Sequence, residues 1–140
     1  MASYTFIDHT ADVLFKAEAA TLSELFEQCA LAVEDTQVEL AGFKQTDEIT
    51  ITGINKNIEH LLFDFLDDLL FYKDSELLIF SKFECKVEKI GEEYHLTCKA
   101  FGEKLTPQHE QKVDVKAITM HLFEVKETDD GWTAQVLIDI

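Results

Sequence analysis

Phe83-Glu84-Cys85-Lys86-Val87-Glu88-Lys89-Ile90-Gly91-Glu92-Glu93-Tyr94-His95-Leu96-Thr97-Cys98-Lys99-Ala100 carries two alternating runs around one break. Phe83, Cys85 and Val87 alternate with Glu84, Lys86 and Glu88; Tyr94, Leu96, Cys98 and Ala100 alternate with His95, Thr97 and Lys99. A period of two is the signature of a half-buried strand, and Gly91-Glu92 suits a two-residue hairpin loop. With Ile90 and Glu93 flanking that loop, the register sets Cys85 opposite Cys98.

Outward from this hairpin toward the C-terminus, the chain reads as strands only. After the polar stretch Thr106-Pro107-Gln108-His109-Glu110-Gln111, a strand is expected through Val113, Val115 and Ala117 toward Leu122 and Val125. Thr128-Asp129-Asp130-Gly131 makes a turn, and Trp132, Ala134, Val136, Ile138 and Ile140 alternate after it. Toward the N-terminus the period changes. Thr21 with Glu24 forms a capping box ahead of Leu22, Leu25, Phe26, Cys29, Ala30 and Val33, the spacing of an amphipathic helix. Ile49 and Ile51 mark a short strand ending at Gly53. From about Asn57 a second helix follows on Ile58, Leu61, Leu62, Phe65, Leu66, Leu69 and Leu70, with Asp64, Asp67 and Asp68 on its solvated flank. Tyr4-Thr5-Phe6-Ile7 and 14–19 read as paired strands around the segment 8–12. The expected fold is α+β: a largely antiparallel sheet, with barrel-like closure left open, packed with two helices in a single domain over 1–140.

Composition narrows the functions available. A chain of 140 residues can bury roughly two-thirds of the surface its unfolded form exposes, so it needs no staples. The three cysteines are scattered, without a CxxC, which points to a reducing cytoplasm rather than a disulfide framework or a zinc site. There is no leader pattern and no membrane-spanning run, so no membrane association is expected. Against 28 acidic residues stand 12 basic ones, a net charge of −16. Such a field repels nucleic acid, whose phosphates require Lys or Arg, and attracts metal cations and basic protein surfaces. It equally serves plain solubility.

No phosphate-cradling glycine loop, nucleophile elbow or HExxH helix is present. The richest local cluster is Asp8-His9-Thr10-Ala11-Asp12, which offers oxygen ligands for a hard cation such as calcium, although aspartate is also a favoured turn residue. If the final strand lies near that loop, Asp139 and the terminal oxygens of Ile140 complete an oxygen-rich pocket; alternatively the strand simply ends in the sheet. Lys116 either neutralises this acidic group or covers a solvated strand face. His9 and His121 fit structural roles as readily as ligation.

Asp8-His9-Thr10-Ala11-Asp12-Val13, the helix pattern of 21–30, Val115-Lys116-Ala117-Ile118-Thr119-Met120-His121 and the closing Ile138-Asp139-Ile140 together resemble the archease family, in order and over essentially the whole chain. The sequence departs from the family at Ala19-Ala20, where glycine is more usual, and at Met120, where an aromatic residue is common. The resemblance implies a non-enzymatic activator of the RtcB-type RNA ligase of tRNA splicing, promoting ligase guanylylation and multiple turnover. It also implies a metal ion, commonly calcium, on Asp12, Asp139 and Ile140, with Asp8, His9 and Lys116 at further motif positions. The competing expectations are a metal-dependent hydrolase or nuclease using the same carboxylates, and a chaperone-like scaffold for basic protein partners.

Overall fold

A computed structural model of the protein describes residues 2–8 and 11–140. The first helix, α1 (Leu22–Gln37), starts where Thr21 accepts a hydrogen bond from the Glu24 amide through its hydroxyl, at 3.2 Å. Glu24 answers with its carboxylate on that same hydroxyl. The second, α2 (Ile58–Glu76), is capped by Asn57, whose side-chain oxygen accepts from the amides of Glu59 and His60. It ends at Leu77, a non-glycine residue in the left-handed region with φ of 56°. The helical run therefore continues well past Leu70, because Lys73 turns inward and is buried.

Among the described residues there are seven strands: β1 (Ser3–Ile7), β2 (Val13–Ala19), β3 (Asp47–Asn55), β4 (Leu78–Ile90), β5 (Glu93–Lys104), β6 (Ala117–Thr128) and β7 (Gly131–Asp139). All pairings are antiparallel, and they form two sheets, ordered β1-β2-β7-β6 and β3-β5-β4. Neither closes into a barrel. Helix side chains take the amides that a closing strand would need. Phe80, Cys85 and Val87 of β4 donate to Glu34, Glu27 and Ser23 of α1, and Val125 of β6 donates to Glu59 of α2. The helices thus bridge the gaps between the sheets, α1 from β2 to β4 and α2 from β6 to β3.

The core lies among these layers. Phe26 of α1 stacks on Phe65 of α2 with ring centroids 5.8 Å apart, and Phe65 meets Phe83 of β4 edge-on. Each fully buried phenylalanine contributes about 1.5–3 kcal/mol of transfer free energy. The β4–β5 hairpin has the register read from the sequence, Ile90 opposite Glu93 and Cys85 opposite Cys98. Both strands are longer than their alternating runs, since the start of β4 at Leu78, Ile79 and Phe80 is buried in succession.

One expected strand is absent: residues 113–116 lie outside any strand, and β6 begins only at Ala117. The alternation of Val113 and Val115 arises because Val115 alone is buried, under Lys73, while Val113 is exposed. This strap is fixed at both ends by main-chain bonds, Lys112 N to Gln37 O and Lys116 N to Asp139 O, each 2.8 Å. Among the described residues, no helix is long and apolar enough to cross a membrane.

Candidate functional site

β7 is a central strand, so its C-terminal end is flanked on both sides. On one side Val13 pairs with Ile138, and one step beyond on each strand stand Asp12 and Asp139. On the other side Ala117 pairs with Asp139, and the Lys116 amide donates to the Asp139 carbonyl at 2.8 Å. β1 ends at Ile7 opposite Leu14, which delivers Asp8 to the same end of the sheet. Five of the six residues singled out in the sequence, Asp8, Asp12, Lys116, Asp139 and Ile140, therefore gather at one end of the four-stranded sheet, although they lie at opposite ends of the chain. The sixth, His9, falls outside the described residues.

Their environments differ. Asp12 and Asp139 are half-buried, Asp8 and Lys116 are exposed, and Ile140 is half-buried and packs on the main core. Ala11, immediately before Asp12, holds a φ of 72°, a left-handed conformation that an alanine adopts only at a cost. Such strain persists where surrounding structure over-determines it. Among the described residues, no three His, Cys, Asp or Glu side chains stand together as a ready metal cage. The half-buried carboxylates at this end of the sheet, Asp12 and Asp139, are oxygen ligands. That set suits a hard cation and no soft one.

Beside this group opens a cleft of about 360 Å³, lined by Asp8 and Asp12, by the exposed apolar Phe6 and Val113, and by Asp35 and Lys112. Asp35 organises its far wall. It accepts from the Tyr4 hydroxyl at 2.9 Å and from the Lys112 ammonium at 2.9 Å, so α1 grips β1 and the strap together. Burial first, and then the Asp35 carboxylate, push the Tyr4 phenol up to about 12. Behind the strap, the buried Lys73 ammonium donates to Asp114 at 2.8 Å and to the Val115 carbonyl at 3.1 Å. That hydrogen bond holds the exposed Asp114 carboxyl below its usual range.

Asp35 and Lys73 went unread in the sequence. Asp35 stands in the last turn of α1, where a carboxylate opposes the helix dipole, and a positional conflict of that kind is the available signal. Lys73 sits at the i+3 and i+4 spacing from Leu70 and Leu69, on the apolar stripe itself, which marks a lysine with a buried task.

A model of the Archease protein family (MTH1598/TM1083) matches residues 4–140. The chain belongs to the archease family. It is 39% identical over 142 residues to the protein archease of Pyrococcus furiosus, and 40% identical over 144 residues to that of Pyrococcus abyssi, with all of each chain covered. The solution structure of Methanobacterium thermoautotrophicum protein 1598 superposes with a TM-score of 0.88 at 35% identity, covering 98% of both chains. A more distant archease, from Thermotoga maritima and described as a possible chaperone, shares the fold at a TM-score of 0.62 and 21% identity, covering 96% of this chain and 94% of its own. The departures from the archease pattern fall away from the acidic group. Ala19 pairs with Trp132 at the opposite end of β2, and Met120 lies exposed in the irregular stretch of β6.

Proposed function

We propose that this protein is a non-catalytic activator of an RtcB-type RNA ligase in tRNA splicing. It would promote ligase guanylylation and multiple turnover through the acidic end of its four-stranded sheet. The observation that carries this reading is the meeting of Asp12, Asp139 and the Lys116 backbone across β7, in a chain of net charge −16 that belongs to the archease family. So acidic a surface is a poor partner for tRNA and a good one for the basic surface of an RNA-processing enzyme. A cytoplasmic location follows from the same role.

In this proposal Asp12, Asp139 and the main-chain oxygens at Ile140 hold a calcium ion, with Asp8 and His9 as neighbours and Lys116 limiting the local excess of negative charge. When bound, the ion supplies a fixed positive centre that joins the segment before β2 to the end of β7. The chain's own part would be to bring the two carboxylates together, a reading supported by Asp12 standing one residue before the Val13–Ile138 pair and Asp139 one residue after it.

The test is a turnover assay on a stalled RtcB-type ligase with and without the protein. Wild type should restore multiple turnover. Asp12→Ala and Asp139→Ala should each abolish it while far-ultraviolet circular dichroism stays unchanged, and calorimetry on chelator-stripped protein should show calcium binding to the wild type alone. Full activation by both variants would remove the site from this role. A chaperone-like scaffold is the second reading, favoured by the exposed Phe6, Ile7 and Val113 around the cleft. It predicts partner binding that is indifferent to calcium and to Asp139→Ala.

A further inference from the structure

Cys85 and Cys98 face each other across the β4–β5 ladder, far along the chain from Asp12 and Asp139, and the proposed function uses neither. The Cys85 amide points away from β5 and donates to the Glu27 carboxylate of α1 at 2.7 Å. The cysteines therefore form a non-hydrogen-bonded pair, the kind in which antiparallel side chains come closest. Their sulfurs stand 2.7 Å apart, with the Cys85 thiol donating to Cys98 Sγ. In such pairs the Cα atoms lie about 4.5 Å apart, at the short end of the 4.4–6.8 Å that disulfides span. A bond there needs only side-chain rotation, because the separation lies within the range that disulfides span. Cys98 is fully buried, whereas Cys85 is half-buried and offers the route in from solvent. Cys29, buried on α1, lies near enough to act on the Cys85 thiol, but it is Cys98 that stands opposite Cys85 in the ladder.

We propose that Cys85 and Cys98 form a redox-active dithiol site whose reaction partner is a low-molecular-weight disulfide. Cys85 Sγ loses its proton to solvent and attacks one sulfur of the small disulfide. That S–S bond breaks, and the departing thiolate takes up a proton. Cys98 Sγ, deprotonated in turn, displaces the second small thiol from Cys85, leaving a Cys85–Cys98 bond. Two electrons pass from the protein to the small disulfide, which leaves as two thiols, and excess thiol runs the sequence backwards. The hydrogen bond to Cys98, burial and the nearby Glu27 carboxylate all raise the Cys85 thiol above its ordinary value, so the exchange is slow at neutral pH and quickens as pH rises.

The experiment places the full-length native protein in mixtures of reduced and oxidised glutathione, then alkylates free thiols and maps the peptides. The expected product is a single Cys85–Cys98 disulfide whose fraction follows the glutathione ratio. It should reopen with excess thiol, form about tenfold faster per pH unit in the neutral range, and leave the amide spectrum of the fold in place. Cys85→Ser, with Cys85→Ala as a second variant, should leave Cys29 and Cys98 reduced throughout. The proposal is overturned if Cys85 and Cys98 stay alkylatable at every ratio, or if a mixed glutathione disulfide persists on Cys85. Linkage to Cys29, or a Cys85–Cys98 bond that forms only in urea, would overturn it as well. Because ligase turnover is not the readout, its failure would leave the proposed activator role standing.

Discussion

Glu34 carries a carboxyl group with none of its surface exposed, on the inner face of α1. One oxygen accepts from the Phe80 amide and the other from the Gln37 side chain, both at 2.8 Å. Burial outweighs these bonds and the nearby Lys73, pushing the group up to about 8. A folded value above the unfolded one means that the native state holds the extra proton between roughly pH 4.5 and 8, so stability must fall as pH rises through that window. The slope from this one group approaches about 1.4 kcal/mol per pH unit at most. Glu34→Gln, which is neutral throughout and can pair with a rotated Gln37 amide, is expected to flatten that slope. Urea melts of both proteins at several pH values across the window give the comparison, and parallel pH profiles would contradict it. At the same scale the candidate site was partly legible. Asp12 and Asp139 were legible chiefly through the resemblance to the family, because carboxylates beside a turn and beside a strand end are also ordinary structure. Asp35 was not, because its partners Tyr4 and Lys112 lie 31 and 77 residues away along the chain, and no local pattern announces contacts that long.

At the scale of elements, caps and periods were legible where one face of a segment does one job. Thr21, Asn57 and the Cys85–Cys98 register all followed from local chemistry, since capping hydroxyls, helical stripes and hairpin loops act over a few residues. The strap 112–116 was misread for the same reason. A buried Val115 between exposed neighbours mimics a strand's period, and nothing local reveals that its backbone bonds go to Gln37 and Asp139 instead of a ladder. The irregular stretch of β6 between Thr119 and Glu124, with Leu122 at φ of 60°, was likewise invisible, because register breaks are set by the partner strand. The end of α2 yields a prediction. Leu77 is 54% exposed and sits at φ of 56°, where a leucine pays about 1–2 kcal/mol relative to the right-handed region. Glycine there loses little packing but adds freedom to the unfolded chain, so Leu77→Gly should stabilise by a net ~0.5–1 kcal/mol. A thermal melt checks this; a lowered melting temperature would show that the side chain packs more than its exposure implies.

For the whole molecule, a charge of −16 over 140 residues means that folding draws like charges together. Added monovalent salt should therefore raise the melting temperature at neutral pH, with most of the gain reached once the screening length falls to about 10 Å near 0.1 M. A melting temperature independent of salt would mean that the ion pairs already balance the surplus locally. The same salt should slow association with a basic partner more than it speeds dissociation, which stopped-flow mixing can read. The division into two sheets, which periodicity could not foretell, has its own outcome at this scale. The outer edge of β4 is not closed by a strand; α1 lends it Ser23, Glu27 and Glu34 as acceptors. A bare strand edge is a template on which another chain can add, so resistance to aggregation here is a service performed by a helix. Ser23→Ala combined with Glu27→Ala, which leaves the core untouched and bares the amides of Cys85 and Val87, should turn a well-behaved chain into one that scatters light on mild warming. If the doubly substituted protein stays clear, the edge is guarded by something other than α1.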